Sequence, residues 1–398
     1  MANSDLGAAK KGKNDEFYTQ FSDIQKEIEA YLEYNPDTFQ DKVVYCNCDD
    51  PFESNFFRYF ALNFNRLGLR QLITTSYKPS PVANTQLGLF GDDVTLRPKK
   101  GRPKVTANKL VINEVHDMDG DGTFNLGDVA EQLKANENNE WTPLEGDGDF
   151  RSLECIELLK QADIVVTNPP FSLFREYLSQ LVEYGKKFSI IGNVNAITYK
   201  ETFPLIKTNK LWLGPSISSG DREFQVPDSY PLQAAGWRID DDGRKYIRVK
   251  GVRWFTNLDH GRRHQPLSLM TMADNLKFNK KLKDRDEYER YDNYDAIEVS
   301  FTDAIPSDYG GVMGVPITFL DKYSPEQFEI LGMCENEDLY GMKTKVYDAA
   351  TRNKAYLDKI GKKGSYDLNA SGVVIRDGLY EKVYQRILLR HRKVAHDN

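Results

Sequence analysis

The apolar positions of this chain switch between two periods. Ile24, Ile28, Tyr31 and Leu32 recur at helical spacing within residues 23–34, whereas residues 43–48, Val-Val-Tyr-Cys-Asn-Cys, form a short run of strand character. A helix is predicted over 56–67, then a strand over 72–77. The alternation resumes with an amphipathic helix at 153–161, a strand at 163–167, a helix at 173–184 and a strand at 188–193. Residues 202–207 and 211–214 continue it. Strands alternating with helices predict an α/β fold whose sheet carries helices on both faces. Beyond Pro215 the pattern breaks into short strands, aromatic residues and polar loops, with strand pairs at 246–257 and an apolar run at 312–319. A C-terminal mixed α+β region is expected there.

Composition shifts suggest the divisions. Residues 1–13 are polar and basic and read as a mobile arm. Residues 14–77 hold the first part of a catalytic domain, 78–145 an insertion, 146–265 the rest of the domain and 266–398 a recognition region. The chain has 398 residues, enough for two domains. Hydrophobic content of 40% and charged content of 28% are those of a soluble globular protein. No apolar run approaches membrane-spanning length, and the N-terminus has no signal-peptide core, so the cytoplasm is the expected place. The four cysteines lack paired zinc-site spacing, and Cys46 and Cys48, alternating on a strand-like segment, read as reduced and structural, with metal binding the alternative.

The most specific chemistry lies in residues 163–171, Asp-Ile-Val-Val-Thr-Asn-Pro-Pro-Phe. A buried strand here delivers a stiff polar turn to its C-terminal end, where ligands bind in open α/β sheets. Two successive prolines remove two N–H donors and leave backbone carbonyls for a partner. Asn168 adds a side-chain acceptor and Phe171 an aromatic face. An exocyclic amine held by two acceptors becomes a better nucleophile, and an aromatic ring grips an extruded base by stacking. The alternative is a rigid turn, with Phe171 in the core.

Other segments invite rival readings. Asp50, Pro51 and Phe52 follow the first strand as an acidic turn leading into a helix, although the usual glycines are missing. The second strand ends without a ribose-binding acid. Asp149 and Phe150 lie on a loop before the 153–161 helix, where a carboxylate and a ring suit an adenine pocket or a plain surface turn. Lys99, Lys100, Arg102 and Lys104 flank a Gly-Arg-Pro core that resembles an AT-hook for the minor groove, or is a solvated basic loop. Asp117, Asp119, Asp121, Thr123 and Asp128 follow the EF-hand loop plan, which predicts either a structural calcium ion or an Asp/Gly turn held by its own side chains. The net charge of −7 looks wrong for a DNA partner, but phosphate contacts depend on local patches. The basic stretch 382–393, with Arg386, Arg390 and Arg392, is one such patch.

Taken together, the Asn-Pro-Pro-Phe strand, the Asp-Pro-Phe turn and the Phe17-Tyr18-Thr19 segment resemble the adenine-specific DNA methyltransferases of the EcoRI methylase family. The likeness runs through residues 13–20, 43–51, 162–177 and 311–320. It implies a Rossmann-like fold using S-adenosylmethionine, with transfer to the N6 amine of a flipped-out adenine in double-stranded DNA. On that resemblance Asn168 and Pro169, at the start of the turn completed by Pro170, hold the amine, and Phe171 stacks on the base. Tyr18, Thr19, Asp50, Pro51 and Phe52, with Asp149 and Phe150, hold the cofactor; Asn47 or Asp49 would take its ribose. The motif order is that of the gamma class of amino-methyltransferases. A cognate restriction endonuclease and a monomeric state are expected; an amino-methyltransferase acting on RNA or protein, or a non-catalytic DNA-binding module, is the alternative.

Overall fold

The computed structural model describes residues 19–48, 54–77, 107–118, 120, 125–135, 138–218, 221–226, 236–282 and 285–393. Two compact units divide the chain, one formed by residues 1–206 and 210–261 and the other by 207–209 and 262–398.

The first unit begins with helix α1 (Phe21–Tyr34), then strand β1 (Val43–Cys46), helix α2 (Asn55–Leu62), the short helix α3 (Phe64–Leu67) and strand β2 (Gln71–Thr75). Strand β3 (Asn108–Ile112), helix α4 (Leu126–Ala135) and strand β4 (Glu140–Pro143) come next. Helix α5 (Leu153–Gln161), strand β5 (Ile164–Thr167), helix α6 (Phe174–Glu183) and strand β6 (Lys187–Asn193) continue the alternation. The run closes with helix α7 (Phe203–Lys207) and strand β7 (Trp212–Leu213); strands β8 (Asp221–Val226), β9 (Arg238–Ile239) and β10 (Lys245–Lys250) form a separate antiparallel sheet, and β11 (Val252–Thr256) returns to the main one.

The main sheet has eight strands in the order β4-β3-β2-β1-β5-β6-β11-β7. Its centre is parallel, β1 pairing with β2 and β5, and β5 with β6. Both margins are antiparallel. Part of the 78–145 stretch is thus woven into the sheet as β3 and β4. The chain winds outward from β1 through β2 in one direction and from β5 through β6 in the other. Strand order therefore reverses between β1 and β5, and the carboxyl ends of these two strands are where sheets of this kind bind their ligands.

The pleat sends alternate residues to opposite faces. Val44, Cys46, Ile164, Val166, Ile191 and Trp254 pack with Ile24, Ile28 and Tyr31 of α1, with Phe56, Phe57 and Phe60 of α2, and with Val129 and Leu133 of α4. On the other face Phe174 of α6 meets Phe255 of β11 with ring centroids 5.0 Å apart. Helices cover both faces, and every residue of β1 and β5 is buried, which explains their nearly continuous apolar runs. This is the α/β sheet with helices on both faces expected from the alternation.

The second unit holds helix α8 (Met272–Phe278), strands β12 (Ile297–Glu298), β13 (Met313–Pro316) and β14 (Phe328–Met333), helix α9 (Ala349–Ile360) and strands β15 (Val373–Arg376), β16 (Leu379–Lys382) and β17 (Arg386–His391). Four of these make a sheet in the order β12-β13-β17-β14, and β15 and β16 form a hairpin. Tyr291, Tyr294, Cys334, Val374 and Leu388 share its core. The mixed α+β character expected beyond Pro215 is found here.

Candidate active site

Strand β5 stops at Thr167 because Pro169 and Pro170 cannot donate to a ladder. Thr167 then ties the two sides of the switch point together: its hydroxyl donates to the Asn47 carbonyl, at the end of β1. The Tyr177 hydroxyl, on α6, donates to Asn47 Oδ1. Burial holds the Tyr177 phenol well above its usual pKa, so the proton is in place for that bond. Asn47 is 3% exposed, so its side chain is engaged within the protein at the switch point.

The turn itself leaves one backbone acceptor open. Leu173 N donates to the Pro170 carbonyl at 2.9 Å, whereas the Pro169 carbonyl accepts no hydrogen bond among the described residues. Asn168 and Pro169 are buried, and Pro170 and Phe171 half-buried. Phe171 opens a single 3₁₀ turn and packs against the main core, which sets its ring. Asn168 and the free carbonyl are adjacent in sequence, at the end of a strand buried on both faces.

The neighbouring groups fit a methyl donor with an adenosyl moiety. Asn55 Nδ2, in the first turn of α2, donates to the Thr19 carbonyl at 2.7 Å and docks the N-terminal segment beside that helix end. Thr19 is 3% exposed, and its hydroxyl has no hydrogen-bond partner among the described residues. A buried orphan hydroxyl next to a helix N-terminus marks a place where a polar ligand completes the bonding. Ser54 caps α2 by accepting from Phe56 N at 3.1 Å. Cys48, the last described residue after β1, takes a left-handed backbone with φ +69°, which is costly for any residue with a Cβ and tends to occur at functional turns.

The loop before α5 is seated on the end of β2. Gly148 has φ +77°, and a Cβ there would lie 1.9 Å from the Ser76 carbonyl oxygen, so only glycine allows this approach. The approach brings Asp149 and Phe150 up to the strand ends. Asp149 is ion-paired with Arg151 at 2.6 Å, and this hydrogen-bonded guanidinium holds its carboxyl below the usual range. It stays an ionised acceptor. Phe150 meets Tyr177 edge-on, with centroids 5.0 Å apart. Tyr18, Asp49, Asp50, Pro51 and Phe52 lie outside the described residues.

Tyr177 and Thr167 were not singled out in the sequence. A tyrosine on the apolar stripe of α6 looks like any core aromatic, and Cys48 carries no sign of its backbone. Tyr177→Phe removes the donor to a buried acceptor. A loss of about 1–3 kcal/mol is expected, to be read from the urea midpoint. An unchanged midpoint would show that the tie carries no stability.

Two expectations are corrected. Among the described residues no group of three or more His, Cys, Asp or Glu could hold a metal ion. Asp128 uses one carboxylate oxygen on Met118 N and the other on Asn125 N, each at 2.7 Å, and Asp117 accepts from Gly120 N at 2.7 Å. The loop is closed by its own side chains at the start of α4, which does not support calcium; Asp119, Asp121 and Thr123 lie outside the described residues. The second correction concerns Arg386, which is 7% exposed and paired with the buried Glu298 at 2.6 Å. It is a core cation, not a phosphate contact. Arg390 pairs with Glu329 at 2.8 Å, and Arg392 Nε donates to the Pro325 carbonyl at 2.6 Å; both remain at the surface. Lys99, Lys100, Arg102 and Lys104 lie outside the described residues.

A doubly wound α/β sheet with an Asn-Pro-Pro-Phe turn at its switch point defines a methyltransferase of the amino-group type. Comparison with known proteins narrows the class. Residues 5–392 match the family described as "Adenine-specific methyltransferase EcoRI". The chain is 47% identical to the Type II methyltransferase M.EcoRI of Escherichia coli over 330 residues, 82% of this chain and 88% of that protein. It is 35% identical to the Type II methyltransferase M.MpnI of Mycoplasma pneumoniae over 85% of this chain and 89% of that protein. A third relative, M.MgeORF184P of Mycoplasma genitalium, is 35% identical over 82% and 86%. No solved structure matches the chain significantly. The chain therefore belongs to the EcoRI family of adenine-specific methyltransferases, and its methyl donor is S-adenosylmethionine. No helix among the described residues is long and apolar enough to cross a membrane.

Proposed function

We propose that this protein methylates the N6 amine of an adenine flipped out of double-stranded DNA at a defined sequence. S-adenosylmethionine, when bound, supplies an electrophilic methyl group for direct transfer. The chain's own residues do the rest. The Asn168 side-chain oxygen and the Pro169 carbonyl accept hydrogen bonds from the two N–H groups of the amine and hold the nitrogen for attack, and the one proton released on methylation passes to solvent. Phe171 takes the face of the extruded base, and the half-buried turn limits water around the amine. Thr19, Asp149 and Phe150, with Tyr18 and the 49–52 turn, hold the cofactor, while Asn47, clamped by Thr167 and Tyr177, positions the switch point. Catalysis comes from orientation and electrostatics.

The observation that carries this reading is the open Pro169 carbonyl beside Asn168 at the sheet's switch point. The named relatives, all three Type II methyltransferases, support a DNA substrate and a partner endonuclease. Lys99, Lys100, Arg102, Lys104, Arg390 and Arg392 remain proposed phosphate contacts. The test supplies labelled S-adenosylmethionine with duplex DNA, RNA or protein in turn. Label in N6-methyladenine of the duplex is expected; label only in RNA or protein would replace this reading with another amine substrate.

A further inference from the structure

The second unit carries two adjoining clefts. One, of about 480 Å³, is lined by Lys281, Phe301, Thr318, Lys322, Tyr384 and Arg386 among others. The other, of about 320 Å³, includes Arg262, Gln265 and Leu267, and shares Thr302, Asp303 and Lys322 with the first. Together they make a groove in which exposed aromatic rings alternate with cations. Tyr384 is 89% exposed and Phe301 37%, large rings that nothing in the unit's core requires to be outside. Lys322 is exposed and has no ion-pair partner among the described residues. Lys281 sits 5.1 Å from the Phe301 ring centroid and pairs with Asp303 at 2.8 Å. Arg262, Lys281 and Lys322 line it with Asp303, on a chain whose net charge is −7.

A buried device braces both walls. Glu298 receives the Arg386 guanidinium at 2.6 Å and the Ser300 hydroxyl at 3.1 Å, next to Phe301. Arg386 Nη1 in turn donates to the Tyr384 carbonyl at 3.3 Å. One ion pair therefore holds the Ser300 side chain beside Phe301 and the backbone carbonyl of Tyr384. An ion pair costs desolvation when buried, and one use that offsets this cost is to hold a specific arrangement.

We propose that this groove is a DNA-recognition surface in which Lys322 and Lys281 hold phosphates and the Tyr384 and Phe301 rings stack on bases exposed where the duplex opens. Cations interleaved with exposed aromatics are the pattern that binds an opened strand: the charges follow the backbone and any base offers a face to a ring. The proposal rests on the reading of the protein as a DNA methyltransferase. It adds which residues outside the catalytic turn contact the substrate.

The test uses the full chain, with Tyr384→Ala, Phe301→Ala and Lys322→Ala. All three side chains are exposed, so folding is expected to survive, and circular dichroism checks it. The probe is a fluorescent duplex containing the sequence that the native protein methylates. Tyr384→Ala is expected to weaken binding by about 5- to 100-fold, the loss for one stacked base. Lys322→Ala is expected to lower the slope of log affinity against log salt by about 0.9, the loss of one phosphate contact. Native affinity and slope in all three variants, alongside native methylation of DNA, would overturn the groove and leave the functional reading standing. A change in sedimentation behaviour without a change in DNA affinity would make the groove a protein interface, and would equally overturn it. Absence of DNA methylation by the native protein would remove the functional reading itself, and the groove with it.

Discussion

Asn168→Ala is expected to slow methyl transfer by about 10²- to 10³-fold, the usual cost of removing one preorganised polar group from a reacting centre. The amine would be left with the Pro169 carbonyl alone. One acceptor constrains only one of its two protons, so the nitrogen lone pair would again delocalise into the ring. The loss should fall on the chemical step, because the side chain lies at the switch point and the cofactor contacts assigned to Thr19, Asp149 and Phe150 are untouched. Single-turnover transfer to duplex DNA measures the rate, and equilibrium titration of S-adenosylmethionine checks that its affinity is kept. Asn168→Asp retains an acceptor oxygen and is expected to recover part of the rate. A native rate in the alanine variant would place the chemistry elsewhere in the molecule.

Arg386→Met is expected to cost about 3–5 kcal/mol of stability in the second unit, because it leaves a buried carboxylate without its counter-charge. Glu298 is 1% exposed. Its remaining partners are the Tyr291 and Ser300 hydroxyls, neither of which carries a charge. Replacing both members, as Glu298→Leu with Arg386→Met, removes the stranded charge and is expected to restore most of the loss, since apolar substitutes for a buried pair are often neutral. Urea unfolding followed by tyrosine and tryptophan fluorescence reads both variants. If the single variant were as stable as the native protein, the pair would have no structural role, and the bracing of the Ser300 side chain and the Tyr384 carbonyl would have to come from something else.

Much of the first unit is legible along the chain. The 3.6-residue spacing of Ile24, Ile28 and Tyr31 marks α1, and the β-branched run ending at Thr167 marks β5 and its turn. The stiffness of the Asn-Pro-Pro-Phe turn is legible without help, because two prolines in succession restrict the backbone and withdraw its donors whatever surrounds them. The basic stretch at 382–393 is different. Charge in a sequence does not say which side of a strand a residue faces, and β17 turns Arg386 inward to Glu298 while Arg390 stays exposed with Glu329. The Asp-rich loop misleads for a related reason. Its spacing suits an ion, but the same carboxylates also suit the backbone amides that Asp117 and Asp128 bind.

By itself the sequence determined the fold class, the switch from αβ alternation to a mixed C-terminal region, and the stiff turn that ends β5. These follow from local rules: periodicity, β-branching and proline geometry act within a few residues. The tertiary structure alone decided what stands beside that turn. Asn47 meets Thr167 across 120 residues and Tyr177 across 130, and Arg386 meets Glu298 across 88. Such pairings depend on strand order and on the face each residue presents, and neither is encoded by the residues between the partners.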